Sequence, residues 1–201
     1  MNRGVDIEIR RGQPSDSGEL AQLMNVAGEG IPAYIWSLMS ASADDVMEFG
    51  ARRVERPEGA FSFTNTRVAV VSGQLAGMLL GYRLPDPCEI GSDSDCPDVV
   101  RPLVELEALA PGSWYINAVA TSAAHRGKGI GTRLMELAES LAGHSGAAVL
   151  SLIVAEENAA AKSLYEKLGY ETRARRAIIP FPGCPHGGDW ILMTKPARRQ
   201  A

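Results

Sequence analysis

Three glycines at alternate positions, with two cations beside them, form the stretch of this sequence best suited to bind an anion. The stretch is Arg126-Gly127-Lys128-Gly129-Ile130-Gly131-Thr132. Glycine lets a backbone approach a ligand closely and adopt conformations that a side chain forbids. Apolar residues then recur with helical spacing, and the first N–H groups of a helix have no intrahelical partners. The stretch therefore predicts a phosphate site at the start of a helix.

Two common phosphate loops do not fit this spacing. A P-loop has a lysine followed by serine or threonine after its second glycine, whereas Lys128 stands between glycines. The dinucleotide fingerprint places glycines at relative positions 1, 3 and 6. Gly127 and Gly129 match, but Thr132 occupies the third position, and no acidic residue ends a strand about 20 residues further on. A nicotinamide enzyme is disfavoured, and a nucleotide-phosphate enzyme, which would bind ATP, is kept as an alternative.

The spacing Arg-x-x-Gly-x-Gly, preceded by an apolar strand, resembles the acyl-CoA loop of the GNAT superfamily of N-acetyltransferases. The strand is predicted over Trp114–Thr121, which is rich in aromatic and β-branched residues. Residues 150–154 resemble the family's next strand, and residues 158–170 resemble its second signature. The resemblance covers residues 114–171 and implies an α/β (α+β) fold, with a mixed, mostly antiparallel sheet of six to seven strands and helices on both faces.

The resemblance also implies which residues hold acetyl-CoA, the expected co-substrate. The loop would bind its diphosphate, through Arg126, Gly127, Lys128, Gly129, Ile130, Gly131 and Thr132. The strand before the loop would pair with the pantetheine arm, through Val119, Ala120 and Thr121, with a backbone N–H near Val119 aimed at the thioester oxygen. Asn158 resembles a residue that contacts the cofactor, and it is also a suitable helix N-cap.

Transfer of acetyl to a primary amine in a ternary complex needs an acid and a base. Tyr165 resembles the family's general acid for the CoA thiolate, and a core tyrosine is the alternative. A lysine-like amine is neutral in only about 1 in 2500 molecules at pH 7. Glu105 and Glu107 precede the central strand and are the candidate bases, although two positions apart on a helix they point in different directions. A surface role is the alternative for each.

The composition is that of an ordinary soluble protein. The 201 residues are 45% hydrophobic and 22% charged, which fits one domain. The net charge of −4 disfavours a general nucleic-acid binder, and no apolar run approaches the ~20 residues of a membrane span. The N-terminal residues lack a signal-peptide pattern, so we expect a cytoplasmic protein. Cys184 and His186, with Cys88 and Cys96, suggest a metal site, but their spacings match no usual zinc pattern, and no metal is predicted.

The N-terminal 60 residues are predicted to hold one strand and the helices on the acceptor side. Alternating polarity predicts a strand at residues 5–10. Helices are predicted over Ser17–Ala27, with a capping box of Asp16 and Glu19, over Ile31–Met39, and from a cap signature of Ser42 and Asp45 to about Glu55. In the family such helices cover the acceptor pocket, which implies Tyr34 and Trp36 as lining residues. Packing onto the sheet is the alternative for both.

The remaining segments complete one predicted domain. Residues 66–84 read as a hairpin in which Gly77 and Gly81 mark a bulge or close packing. Residues 85–112 are an acidic insertion with a helix predicted within 98–110, and they form either a solvated loop or a patch that steers a cationic acceptor. Strands are predicted at 171–180 and 189–194. A homodimer is common in the family, and a non-catalytic acyl-CoA sensor on the same fold is the alternative function.

Overall fold

A computed structural model describes residues 6–40, 45–88 and 97–198 of the chain. Within these ranges, seven strands form one sheet, in the order β1-β2-β3-β4-β5-β7-β6. The strands are β1 Glu8–Arg11, β2 Thr66–Val71, β3 Gln74–Arg83, β4 Trp114–Thr121, β5 Val149–Ala155, β6 Glu171–Ala177 and β7 Asp189–Pro196. β4 and β5 pair in parallel, whereas β1–β2, β2–β3, β5–β7 and β6–β7 are antiparallel. The predicted mixed, mostly antiparallel sheet is confirmed.

Six α-helices accompany the sheet in the described residues: α1 Ser17–Ala27, α2 Ile31–Met39, α3 Val46–Val54, α4 Arg101–Glu107, α5 Ile130–His144 and α6 Ala159–Lys167. The helix predicted within 98–110 is a 3-10 turn, Asp98–Val100, that leads into α4. The strand predicted at 171–180 ends at Ala177. Asp45 caps α3 by accepting hydrogen bonds from Met47 N and Glu48 N, while Ser42 lies outside the described residues. No helix of the described part is long and apolar enough to cross a membrane.

The chain divides into two compact units, residues 1–81 with 118–138, and residues 82–117 with 139–201. In the first unit, α1, α2 and α3 bury their apolar sides in one core with the sheet, and the central members of that core are Leu20, Met24, Trp36, Val54, Val68, Met78, Leu80, Ala118 and Ala120. In the second unit, α4 packs against β6 and β7. The buried side chains of the second unit include Leu106, Ile116, Leu150, Leu152, Ile191 and Met193.

The capping box predicted for α1 is wrong. Asp16 stands at the N-cap, but its side chain makes no capping hydrogen bond. The carboxylate instead accepts two hydrogen bonds from the Arg10 guanidinium, at 2.7 and 2.9 Å, and one from Gln13 N. This bidentate pair lowers the pKa of Asp16 from its ordinary value. Arg10 of β1 and the backbone of Gln13, before the 3-10 turn Pro14–Asp16, occupy the carboxylate, so it does not cap α1.

Gly77 shows both features that a glycine inside a strand predicts, a bulge and close packing. The register of β2 against β3 shifts between Ala69 and Val70, opposite Gly77. A Cβ at Gly77 would lie 2.8 Å from Ala120 O and 3.0 Å from Ile130 Cγ2. Because successive side chains of a strand alternate faces, α5 covers the face opposite to the one that carries Met78. Helices therefore lie on both faces of the sheet in this unit.

We expect Gly77→Ala to destabilise the protein by about 1–3 kcal/mol, the usual cost of overpacking a core. The added methyl group meets a backbone oxygen, which cannot turn aside as a side chain can. Urea unfolding followed by circular dichroism measures the change. Gly18→Ala is the matched control, because Gly18 is a helical glycine with nothing within 4 Å of an added Cβ, and alanine there should stabilise by ~0.5–1 kcal/mol. Equal effects of the two substitutions would contradict the packing argument.

Candidate active site

The glycine loop connects β4 to α5 in the first unit, through the 3-10 turn Ala123–His125. Gly127 and Gly129 have φ of +74° and +79°, values that favour glycine, and nothing lies within 4 Å of a Cβ added at either. The first hydrogen bond of α5 runs from Arg133 N to Gly129 O at 3.1 Å. The N–H groups of residues 130–132 precede that bond and have no intrahelical acceptor. The loop is thus an exposed concave backbone that can take an anion at the positive end of a helix.

Cations and two cavities surround this loop. Arg126 and Lys128 are exposed, and Lys128 Nζ donates to Ala124 O at 3.1 Å. A cavity of about 280 Å³ is lined by one side of α1 and by Leu75, Thr121, Ser122, Ala123 and Arg126. A second cavity, of about 740 Å³, is lined by His125, Lys128, the turn between β2 and β3, and two acidic residues, Asp6 and Glu8. The first unit therefore offers concave surface, two exposed cations and backbone donors without intrahelical acceptors at this loop.

At the end of β4, the backbone N–H and C=O groups of successive residues point alternately towards β3 and away from it. Ser122 N donates to Ala76 O of β3 at 2.9 Å. Backbone groups of alternate residues point to opposite edges of a strand, so Ala120 faces β3 as Ser122 does. Val119 and Thr121 direct their N–H and C=O groups to the other edge. Of the three residues predicted to pair with pantetheine, Val119 and Thr121 have the required orientation.

In the second unit, β4 and β5 pair over a short ladder. The three pairs are Trp114 with Leu150, Tyr115 with Ser151, and Ile116 with Leu152. Asn117 is the next residue of β4 and has no partner in this ladder. A strand edge that is not paired with another strand keeps its backbone hydrogen-bonding groups available for an extended ligand.

Asn158 and Tyr165 both lie on α6 in the second unit. Asn158 is its N-cap, and Asn158 Oδ1 accepts a hydrogen bond from Ala161 N at 3.2 Å, as the sequence predicted. Tyr165 is 8% exposed, and its ring meets that of Tyr170 edge to face, with centroids 6.0 Å apart. The Tyr170 hydroxyl is buried without a hydrogen-bond partner among the described residues. Tyr165 is therefore a buried tyrosine whose ring packs against Tyr170.

The two candidate bases have different surroundings, although both lie on α4. Glu105 Oε2 accepts a hydrogen bond from Arg176 Nε on β6 at 2.5 Å, and both side chains are more than a third exposed. Glu107 is half-buried and is hydrogen bonded to Tyr115 of β4. The expectation that the two carboxylates point in different directions is confirmed. Glu105 is held in an ion pair, whereas Glu107 bonds a tyrosine.

Glu107 belongs to a cluster of four residues that we call the Glu107 cluster: Tyr82, Glu107, Tyr115 and Asn117. The rings of Tyr82 and Tyr115 meet edge to face with centroids 5.9 Å apart, and Asn117 Nδ2 donates to the Tyr82 hydroxyl at 3.2 Å. Burial raises the pKa of Glu107 to about 7, and the hydrogen bond from Tyr115 opposes that rise only in part. Burial, and next the charge of Glu107, hold the pKa values of both tyrosines above their ordinary value.

Three members of the Glu107 cluster were not among the predicted site residues. Tyr82, Tyr115 and Asn117 lie on β3 and β4, and their meeting with Glu107 depends on strand pairing and helix packing. One local signal was present: Asn117 is a polar residue inside an apolar strand, two positions from Tyr115 and therefore on the same face.

The residues predicted to line the acceptor pocket differ in burial. Trp36 is 4% exposed, and a Cβ at Gly50 would lie 2.4 Å from its ring, so α2 and α3 pack closely there. This burial favours the packing role for Trp36. Tyr34 is half-buried on α2, and its lining role stays a prediction.

The cysteines and His186 show no metal-binding arrangement in the described residues. Cys184 Sγ donates to His186 O at 3.1 Å, and His186 Nδ1 lies 3.6 Å from Glu157 Oε2. Within residues 6–40, 45–88 and 97–198, no group of three or more His, Cys, Asp or Glu side chains could hold a metal ion. Cys96 lies outside these ranges.

Comparison with known families matches residues 32–170 to the acetyltransferase (GNAT) family. The chain belongs to the GNAT acetyltransferase family. This membership confirms the resemblance drawn from the glycine loop and the second signature, and it identifies the protein as an acyltransferase. Comparison with curated protein sequences gives no match.

Several solved structures share the GNAT fold with this chain. An acetyltransferase crystal structure has a TM-score of 0.65 and 22% identity, and the match covers 95% of this chain and 100% of that one. An N-acetyltransferase from Staphylococcus aureus Mu50 has a TM-score of 0.62 and 20% identity, over 94% and 100% of the two chains. The yncA protein of Salmonella typhimurium, solved with its cofactor acetyl-CoA, has a TM-score of 0.56 and 18% identity, over 98% and 96%. At these identities the likeness establishes the GNAT fold.

Proposed function

We propose that this GNAT protein is an N-acetyltransferase that moves the acetyl group of acetyl-CoA directly to a primary amine in a ternary complex, in the cytoplasm. The observation that carries the proposal is the loop of Gly127 and Gly129, with left-handed backbone, open space above it and the start of α5 behind it. Such a backbone suits a diphosphate, which is an anionic part of acetyl-CoA.

In the first unit, we assign the cofactor to the loop and to the end of β4. The N–H groups from Gly127 to Thr132 would bind the diphosphate, with Arg126 and Lys128 adding charge. Charge-assisted hydrogen bonds of this kind contribute about 1.5–3 kcal/mol each. Val119 and Thr121 would pair with the pantetheine amides, because their backbone groups point away from β3.

In the second unit, we assign the base to Glu107 and the acid to Tyr165, while Asn158 contacts the cofactor. Glu107 takes one proton from the acceptor ammonium, so that the nitrogen lone pair can attack. The nitrogen then bonds to the acetyl carbon as the carbon–sulfur bond breaks. Tyr165 gives its proton to the sulfur and regains one from the nitrogen, which completes the amide and leaves free CoA thiol. Acid and base catalysis each contribute typically 10²–10⁴-fold.

Release of free thiol from acetyl-CoA, measured against a panel of primary amines, tests the proposed activity. We expect at least one amine to give thiol and an N-acetyl product in equal amounts. The alternative function is a non-catalytic acyl-CoA sensor, which the burial of Tyr165 favours. A sensor would bind CoA in calorimetry and release no thiol with any amine, and that pair of results would exclude the enzyme.

We expect Tyr165→Phe to lower kcat by about 10- to 100-fold and to leave the affinity for CoA nearly unchanged, because only the proton donor is lost. Tyr170→Phe is the matched control. It alters the ring that packs against Tyr165, but its hydroxyl has no hydrogen-bond partner in the described part of the chain, so its kcat should stay within about twofold. Steady-state kinetics of both variants measure the difference. An unchanged kcat in Tyr165→Phe would remove the acid role.

A further inference from the structure

Glu107 is a half-buried carboxylate with no cationic partner among the described residues. Other carboxylates of its unit bond a basic side chain: Glu105 bonds Arg176, Glu156 bonds Arg175, and Glu139 bonds Lys195. Glu107 is bonded to the Tyr115 hydroxyl, and no Lys, Arg or His of residues 6–40, 45–88 and 97–198 pairs with it. Buried carboxylates are ordinarily paired with a cation. The charge that would balance Glu107 is therefore expected from a ligand.

The neighbours of Glu107 could complete a binding site for a small polar ligand. The hydroxyl of Tyr82 accepts a hydrogen bond from Asn117 Nδ2. The hydroxyl proton of Tyr82 and the side-chain carbonyl of Asn117 could then bond a ligand. The aromatic rings of Tyr82 and Tyr115 can attract a cation through their faces. Tyr82, Glu107 and Asn117 are each half-buried, so the cluster is partly open to solvent.

The Glu107 cluster lies beside the point where β4 stops pairing with β5. Tyr115 pairs with Ser151 in the β4–β5 ladder, and Asn117 is the first residue of β4 after that ladder ends. The cluster thus lies where the backbone of β4 ceases to be engaged by β5. A ligand held by Glu107 would be next to the part of β4 that keeps its hydrogen-bonding groups available.

We propose that Tyr82, Glu107, Tyr115 and Asn117 form the binding site of the acceptor, and that the acceptor is a compact primary alkylammonium ion whose N–H groups bond the Glu107 carboxylate. Calling this ligand the acceptor rests on the proposed N-acetyltransferase function. The binding site itself can be tested by binding alone. An ammonium ion supplies both the positive charge and the hydrogen-bond donors that a half-buried carboxylate requires. An anionic acceptor would place like charges together, and a quaternary ammonium ion has no N–H to donate.

The test is isothermal titration calorimetry of the full chain with n-propylammonium chloride, in the presence of CoA. We expect saturable binding at pH 8, about tenfold weaker binding at pH 6, at least tenfold weaker binding of tetramethylammonium, and no binding of butyrate. The pH effect follows from protonation of Glu107, since the other titratable neighbours, Tyr82, Tyr115 and Cys88, have raised pKa values and stay neutral at pH 8. The comparison of the two pH values needs only the unaltered protein.

Glu107→Gln should weaken n-propylammonium binding at least tenfold and abolish its pH dependence. Glu156→Gln is the matched control, because it removes an exposed carboxylate of the same unit that is paired with Arg175, and its binding should be unchanged. Binding that is absent in the unaltered protein, or equal at the two pH values, or unaffected by Glu107→Gln, would overturn the proposed site. Thiol release separates the two proposals: turnover without binding at Glu107 refutes only the site, and Glu107-dependent binding without turnover refutes only the enzyme.

Discussion

Gly131→Asp is expected to lower the affinity for acetyl-CoA by about 10²- to 10³-fold while the protein stays folded. Gly131 is the second residue of α5, in the first turn, where the helix N–H groups are unpaired. A Cβ there would lie 3.8 Å from Thr121 Oγ1, an ordinary contact, so the change is tolerated sterically. The new carboxylate would occupy the anion site and repel the diphosphate. Loss of two charge-assisted hydrogen bonds of about 1.5–2 kcal/mol each, about 3–4 kcal/mol in total, corresponds to the stated factor.

Gly18→Asp is the matched control for this substitution. Gly18 is the second residue of α1, as Gly131 is of α5, and nothing lies within 4 Å of an added Cβ. An acidic residue in the first turn of a helix stabilises it by ~0.3–1 kcal/mol, so neither variant should unfold at a lower temperature. Calorimetric titration with acetyl-CoA and a thermal melt measure both properties. Acetyl-CoA affinities that are equal in the two variants would contradict a diphosphate site at the loop.

The glycine loop could be predicted from sequence because its determinants are local. The three glycines, the strand before them and the apolar spacing after Ile130 all lie within one stretch, and each has a direct backbone consequence. The hairpin and the N-caps by Asp45 and Asn158 were predicted for the same reason. The burial of Tyr165 on α6 could not be predicted in the same way, because it depends on Tyr170 and on the rest of its unit.

The surroundings of acidic side chains could not be predicted, because their partners lie far along the chain or on another element. Asp16 has the spacing of a helix cap, yet Arg10 on β1 takes its carboxylate. Glu105 is bonded to Arg176, 71 positions later. Strand pairing and helix packing give Glu107, two residues away, a different partner: it bonds Tyr115, and no cation of the described residues pairs with it. The sequence therefore supplied both candidates, and the contacts decide between them.

Glu107→Gln is expected to lower kcat/KM at pH 8 by about 10²–10⁴-fold, the usual contribution of a general base. In the unaltered protein, kcat/KM should fall about tenfold per pH unit below 7, because the pKa of Glu107 is about 7 and only the carboxylate accepts a proton. The variant should lack this limb of the profile. Glu105→Gln, on the same helix, removes an exposed ion pair, and its profile should follow that of the unaltered protein. A Glu105→Gln defect of the same size would reverse the assignment.

The stability of Glu107→Gln should change in the opposite direction to its activity. The folded-state pKa of about 7 lies above the ordinary value of 4.5, so the unfolded chain ionises first as the pH rises. The free energy of unfolding of the unaltered protein therefore decreases between about pH 4.5 and 7, by up to about 3 kcal/mol. Glutamine keeps an acceptor for Tyr115 and carries no charge, so the variant should match the unaltered protein near pH 4 and exceed it by about 1–3 kcal/mol at pH 8. Urea unfolding at the two pH values measures this. A carboxylate kept for structure would lose stability on this substitution, whereas one kept for proton transfer at a cost in stability would gain it.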